Sequence, residues 1–234
     1  MSTPTVPSPA PVPGAPPTSA PKYVLRGEPP PLHGGPLTFL KFARRNKMLT
    51  PGYAWLIVKL GLYKLRYGKR LQLDGIAFIC PKVKFELGKD ARLHLGRWSW
   101  VGTGSKIRVH EGECFIGAKT VLGQECTISA FQHVSIGREC IVADRVMLID
   151  FDHGVVEVER PIREQGIYKR DVKVGHNVWM GYGCCVLRGA TVGDNSVLGT
   201  YAVVTKDIPA NSVAAGLPAK VVRKRDRPRT LRWE

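Results

Sequence analysis

The chain has 234 residues, with 35 Lys and Arg against 19 Asp and Glu, a formal charge of +16. That length suits one solenoid with short appendages, and the charge calls for anionic partners such as phosphates or a membrane surface, with no nucleic-acid reader motif beside it. The six cysteines form no C-x-x-C pair, which argues against a zinc site or a disulfide framework and for a reducing, cytoplasmic setting. No apolar run reaches the ~18 residues of a spanning helix, and prolines stand where a signal peptide needs an apolar stretch.

Residues 1–36 are rich in Pro, Ala, Ser and Thr, and the first twenty carry no charged side chain. Such a segment buries too little to order itself and reads as a disordered, Pro-rich tail. Over residues 37–70 the pattern turns helical. Pro51 and Gly52 open a stretch holding Trp55, Leu56, Ile57, Leu60, Leu62, Tyr63 and Leu65 with Lys59, Lys64 and Arg66, and Gly68 closes it. This basic amphipathic segment has two compatible readings, a cap on the open end of a solenoid and a contact with an anionic membrane surface.

A six-residue repeat dominates the rest of the chain. Val174, Met180, Val186, Val192, Leu198 and Val204 are aliphatic at every sixth position, and Gly175, Gly181, Gly193 and Gly199 follow four of them. Four positions on from the first five sit Val178, Cys184, Ala190, Ser196 and Ala202. No α-helix repeats at six, whereas a coil of short strands with tight corners does, each strand putting one aliphatic residue inward before it turns. Glycine is expected to supply the backbone angles of the corner.

The repeat starts near Leu71 in a less regular form. Leu95-Gly96, Val101-Gly102 and Ile107 are in phase, then Ile116-Gly117, Leu122-Gly123 and Ile128, then Ile136-Gly137, Val142-Ala143 and Leu148. Cys126, Cys140 and Cys184 fall on the small-residue position and read as core fillers. Val174 follows Leu148 by 26 positions, counted as one turn plus about eight extra residues, which must protrude as a loop at about 152–170. The expected organisation is an all-β solenoid over 71–208, followed at 209–234 by a C-terminal segment and basic tail.

His153 stands in LIDFDH, where the coil breaks, and VGHNVWMGYG, VGDNSVLG, VVTKDIPANS and AAGLPAKVVR come after it in order. Over about residues 95–225 these segments resemble the hexapeptide-repeat acyltransferases, in particular the maltose and galactoside O-acetyltransferase branch. The resemblance implies a left-handed parallel β-helix, a homotrimer, and acetyl-CoA or another acyl-CoA lying in the cleft between neighbouring subunits. The hand comes from the resemblance alone, since parallel crossovers ordinarily favour the right hand.

The resemblance also implies the roles of residues. His153 matches the loop histidine that acts as general base, removing the acceptor hydroxyl's proton as it attacks the thioester. Asp150 and Asp152 flank it as candidates to orient its ring, and the oxyanion donor is expected near Gly181–Tyr182. CoA contacts carry over to Trp179, Tyr182, Thr200, Thr205, Lys206, Lys220 and Arg223, with Lys206, Lys220 and Arg223 meeting the phosphates. No metal is expected.

Tyr182 and Thr200 replace smaller residues common in acetyl-specific members, and Gly123 stands where sugar acetyltransferases carry an asparagine. The acceptor and the acyl length therefore stay open. The function implied is transfer of an acyl group, acetyl first, to a hydroxyl of a sugar, glycan or glycolipid precursor, in the cytoplasm or peripherally at the inner membrane face. Cys184 and Cys185 lie inside the repeat and read as structural, so transfer is direct, without an acyl-enzyme. The alternative is a catalytically silent β-helix binding anionic partners or a membrane surface. A γ-type carbonic anhydrase would need a second histidine close to His153, and none lies within ten residues.

Overall fold

The structure, a computed structural model, describes residues 36–225. The expectations for the Pro-rich tail, including His33, and for the basic tail beyond residue 225 lie outside the described residues.

Two helices precede the coil. α1 covers Pro36–Arg45 and α2 covers Pro51–Tyr67. The helical stretch divides because Lys47 takes a left-handed φ of 54° and Thr50 becomes an N-cap, its hydroxyl accepting the Tyr53 N–H at 3.4 Å. Pro51 then fits the first turn, where no N–H is missed. Gly68, at φ 56°, ends the helix. α2 lies against the first turn of the coil. Its Tyr63 and Tyr67 hydroxyls donate to the Val83 and Phe85 carbonyls at 2.8 and 2.6 Å, while Lys64 and Arg70 donate to Leu71 O and Leu87 O. The open end of the coil is thereby capped, and Leu60 is buried on it.

The coil is a parallel β-helix with three faces and six turns, since the first face stacks six strands: Leu71–Leu73, Arg92–Leu95, Glu113–Ile116, His133–Ile136, Val172–Val174 and Thr191–Val192. The second face runs from Phe78–Ile79 to Val197–Leu198 and Ser212–Ala215, where Lys220–Lys224 adds an antiparallel edge strand. The third face runs from Lys84–Leu87 through Met147–Ile149 to Cys185–Val186 and Val203–Val204. Ile107, Ile116, Ile128, Ile136 and Leu148 point into the coil with 0–1% exposure.

The irregularity of the early repeat has a single location. Inward residues advance by six around two corners of each turn. Around the corner from the third face to the first, the steps are Ile107 to Ile116, Ile128 to Ile136 and Leu148 to Val174. Val134 pairs with Val172, 38 positions on, whereas Val174 pairs with Val192, 18 positions on. The 26 positions after Leu148 are thus one corner enlarged by 20 residues. The expectation of one full turn plus eight took the gap to hold strands that it does not contain.

The glycines also act differently from expectation. None of Gly175, Gly181, Gly193 and Gly199 has positive φ; the left-handed residue of the corner comes two positions later, at Asn177, Gly183, Asn195 and Tyr201. The glycine is needed for close approach. A Cβ on Gly117 would lie 2.4 Å from the carbonyl carbon of Gly137 on the next turn. Small polar residues bridge turns as well: the Thr120 hydroxyl donates to Gly137 O at 2.6 Å and accepts the Cys140 N–H at 3.1 Å. All six cysteines are free thiols, and burial pushes that of Cys126 up to about 11.

Leu148 is fully buried directly before the enlarged corner. Leu148→Ala is expected to lower the unfolding free energy by about 2–5 kcal/mol. Val158→Ala on the exposed loop should change it by no more than about 0.5 kcal/mol. Chemical denaturation of the two variants checks both values.

Candidate functional site

At the enlarged corner the chain leaves the coil as a hairpin. Phe151–His153 pairs antiparallel with Ile167–Lys169, setting His153 opposite Ile167. Gln165 braces the tip: its Oε1 accepts the Glu157 N–H at 2.9 Å and its Nε2 donates to the Glu157 and Arg160 carbonyls. Val155, Val156, Val158 and Ile162 are exposed along this tip.

Asp150 secures the hairpin root. It is fully buried, and its two oxygens accept the N–H groups of Phe131, Gln132 and His133 at 2.7–2.8 Å. Those donors lie on the corner of the turn below, which is itself too wide for every N–H to find a strand partner, so the carboxylate supplies the acceptors. Asp152 forms an ion pair with Arg188 at 2.6 Å, and the Arg188 guanidinium lies 6.0 Å from the Tyr168 ring centre. Neither aspartate hydrogen-bonds to His153, which corrects the expectation that one of them orients the ring. Asp150 is instead taken up by the N–H groups of the turn below and Asp152 by Arg188 of the neighbouring turn.

The His153 side chain is exposed. Its one ring contact among the described residues is the edge of Phe151 at 6.3 Å, and no hydrogen bond from those residues occupies its nitrogens. Below it runs a column of rings that sequence reasoning missed: Phe151 packs edge-on against Phe131 at 4.6 Å, and Phe131 stacks on His110 at 4.3 Å. Lys169 lies 5.5 Å from the Phe131 ring centre and pairs with Glu111. These residues fall on successive turns of one corner, a relation visible only once the turn lengths are known. Asp171 closes the root. Burial opposes its ionisation, yet hydrogen bonds from Gln132 and Lys173 and the nearby His133 outweigh that and hold its carboxyl below the ordinary range.

The predicted CoA residues fall into separate places. Trp179 stands 54% exposed on the second face, in register with Ile141 and Val197. Tyr182 and Thr200 occupy the corner between the second and third faces, where Tyr182 meets Tyr201 edge-on at 5.5 Å and lies 5.9 Å from the Arg145 guanidinium. Thr205 and Lys206 are exposed after Val203–Val204, at the corner that carries His153 two turns earlier. Lys220 and Arg223 lie exposed on the added antiparallel strand opposite Ala215 and Val213. The Tyr182 N–H makes no hydrogen bond among the described residues, as an oxyanion donor requires. It sits across the third face from His153, so one chain does not bring the two together.

Two further histidines have structural partners. His94 Nε2 meets Asp74 at 2.7 Å, and His176 Nδ1 accepts the Arg138 N–H at 3.0 Å. Cys184 is buried, and burial raises the thiol pKa values of both Cys184 and Cys185. Among the described residues no three His, Cys, Asp or Glu side chains gather as metal ligands would.

No family model matches the chain. Over 199 residues it is 37% identical to a probable acetyltransferase of Mycobacterium tuberculosis, covering 85% of this chain and 65% of that protein. Over 165 residues it is 28% identical to a putative lipopolysaccharide biosynthesis O-acetyl transferase of Escherichia coli, covering 66% and 84%. It is 41% identical over 92 residues to the galactoside O-acetyltransferase of Escherichia coli, covering 39% and 44%. Thus the chain spans a little under two thirds of the first of these relatives and less than half of the third. A hexapeptide-repeat-containing acetyltransferase of Vibrio cholerae, solved with acetyl coenzyme A, shares the fold at a TM-score of 0.51 with 18% identity, over 76% of this chain and 92% of that one.

Asp150 is the buried group on which the hairpin depends. Asp150→Asn turns an amide nitrogen toward N–H donors and is expected to destabilise the protein by about 2–4 kcal/mol in urea unfolding.

Proposed function

We propose that the chain is a hexapeptide-repeat acyltransferase, an acyl-CoA-dependent O-acyltransferase with His153 as general base, a reading that its likeness to named acetyltransferases supports. The observation that carries this reading is an exposed imidazole whose nitrogens are uncommitted, held at the break of the coil by a braced hairpin. His153 takes the proton of an acceptor hydroxyl while the oxygen attacks the thioester carbonyl. The tetrahedral oxyanion is stabilised by a backbone N–H, for which Tyr182 offers one. Collapse breaks the C–S bond, and the imidazolium returns its proton to the CoA sulfur. No acyl-enzyme intervenes, in keeping with thiols that burial holds protonated.

The donor is acetyl-CoA or another acyl-CoA. Lys206, Lys220 and Arg223 would meet its phosphates, and Trp179, Tyr182, Thr200 and Thr205 would line its path. The acceptor is a hydroxyl of a sugar, glycan or glycolipid precursor. The activities named for the two Escherichia coli relatives support that class, and a glycolipid precursor would bring a cytoplasmic enzyme to the inner membrane face.

The proposed assembly is a homotrimer. Two features support it: the Tyr182 N–H and His153 lie at opposite edges of the third face, and the second face carries an outward column of Val121, Ile141 and Trp179 that is 41–59% exposed. A neighbouring copy covers such a column and supplies the missing half of the site.

His153→Ala is expected to lower turnover by about 10²–10⁴-fold with folding and calorimetric acetyl-CoA binding unchanged; near-wild-type turnover removes the general-base assignment. Lys206→Ala and Arg223→Ala should each weaken CoA binding by about tenfold, the loss of one charge-assisted contact. Unchanged affinity in both would move the phosphate site elsewhere.

A further inference from the structure

α2 is apolar on two opposite sides. One side carries Tyr53, Leu60, Tyr63 and Tyr67 against the coil. The other carries Trp55, Val58, Leu62 and Leu65, spaced three and four residues apart and hence along one stripe, at 59, 53, 53 and 83% exposure. A helix apolar on both sides is ordinarily buried on both, and the coil covers only one. Leu37 and Leu40 on α1 and Leu49 in the connection are likewise more than half exposed. An apolar crevice of about 320 Å³ opens between the helices, lined by Phe39, Ala43, Met48, Leu49, Ala54 and Ile57.

The charge around these residues has one sign. From residue 36 to residue 73 the chain has nine Lys and Arg and no Asp or Glu. Lys59, Lys64 and Arg70 donate to backbone carbonyls, while Lys41, Arg44, Lys47, Arg66 and Lys69 are exposed. A second copy docking stripe to stripe would bring these five exposed cations against the same five, with no acid from residues 36–73 to offset them, which disfavours self-association through this surface. A stripe one residue wide is also narrow beside the roughly 20–30 residues that each side of a stable protein interface contributes. A flat anionic apolar phase satisfies both demands, taking the apolar side chains into the boundary of headgroups and chains and the cations among phosphates.

We propose that the helical cap docks on an anionic lipid bilayer through the Trp55–Val58–Leu62–Leu65 stripe and the exposed cations of α1 and α2. No described helix is long and apolar enough to cross a membrane, so the contact is interfacial. The surface is separate from His153 and every residue assigned to CoA, and its docking does not depend on the catalytic reading.

The test is flotation of the full chain with phosphatidylcholine vesicles, with and without phosphatidylglycerol. Binding is expected to the anionic vesicles and to weaken with added salt. Val58→Gln with Leu62→Gln should lower the partition coefficient by about tenfold or more, as loss of two buried aliphatic side chains implies, with unchanged CoA binding and circular dichroism. Brominated phosphatidylglycerol should quench tryptophan emission of the wild type and not that of Trp55→Phe. Four results would overturn the proposal: no binding to anionic vesicles, equal binding to neutral ones, an unchanged partition in the double variant, or quenching that survives Trp55→Phe. Concentration-dependent self-association that the double variant abolishes would assign the stripe to a second copy instead.

Discussion

Everything in this molecule depends on turn-on-turn stacking. Gly117 N–H donates to Ile136 O, Gly137 N–H to Val174 O and Gly175 N–H to Val192 O, each at 2.8 Å. Short parallel strands in register leave no slack along a face, because a shift of one residue would turn an inward aliphatic outward. Extra residues can leave only at a corner. Here they leave at the same corner in successive turns, in small numbers below and as a 20-residue excess at the hairpin. The place where the proposed chemistry sits is therefore set by the stacking of the core.

An enlarged corner leaves backbone groups without strand partners, and the structure answers with polar side chains. Asp150 takes three N–H groups of the corner beneath it, and the ion pair between Asp152 and Arg188 ties the emerging arm to the next turn. The rings of His110, Phe131 and Phe151 fill the remaining space under the arm. None of these groups hydrogen-bonds to His153, so its ring nitrogens stay unoccupied among the described residues. On the proposed reading that freedom is its function, and the orientation comes from the acceptor and a neighbouring copy.

The repeat from Val174 to Val204 was legible because its inward residues and corner glycines recur without interruption. The break was legible too, since LIDFDH is followed by no aliphatic in phase. Its size was misread because sequence spacing cannot distinguish a corner that grows from a turn that is added. The same blindness hid the roles of Asp150, Arg188 and His110, whose partners lie 17–36 or more positions away and meet only when turn lengths are known. The corner glycines were located correctly and explained wrongly. Left-handed angles belong to the residues two positions later, Asn177, Gly183, Asn195 and Tyr201, while the glycine directly after each inward aliphatic answers the approach of the next turn.

A solenoid must close its ends, because each terminal turn exposes a row of backbone groups and an apolar core section. At the late end, Lys220–Lys224 folds back as an antiparallel strand on the second sheet. At the early end α2 does the same work with side chains, its tyrosine hydroxyls and Lys64 donating to carbonyls of the first turn. That task uses one side of the helix. Were capping its whole purpose, the far side would be free to carry the acidic and polar residues of an ordinary surface helix. It carries Trp55, Val58, Leu62 and Leu65 with no acid from residue 36 to residue 73, a composition that water does not favour and that capping does not require. On the proposed reading the far side answers to a second apolar, negatively charged environment.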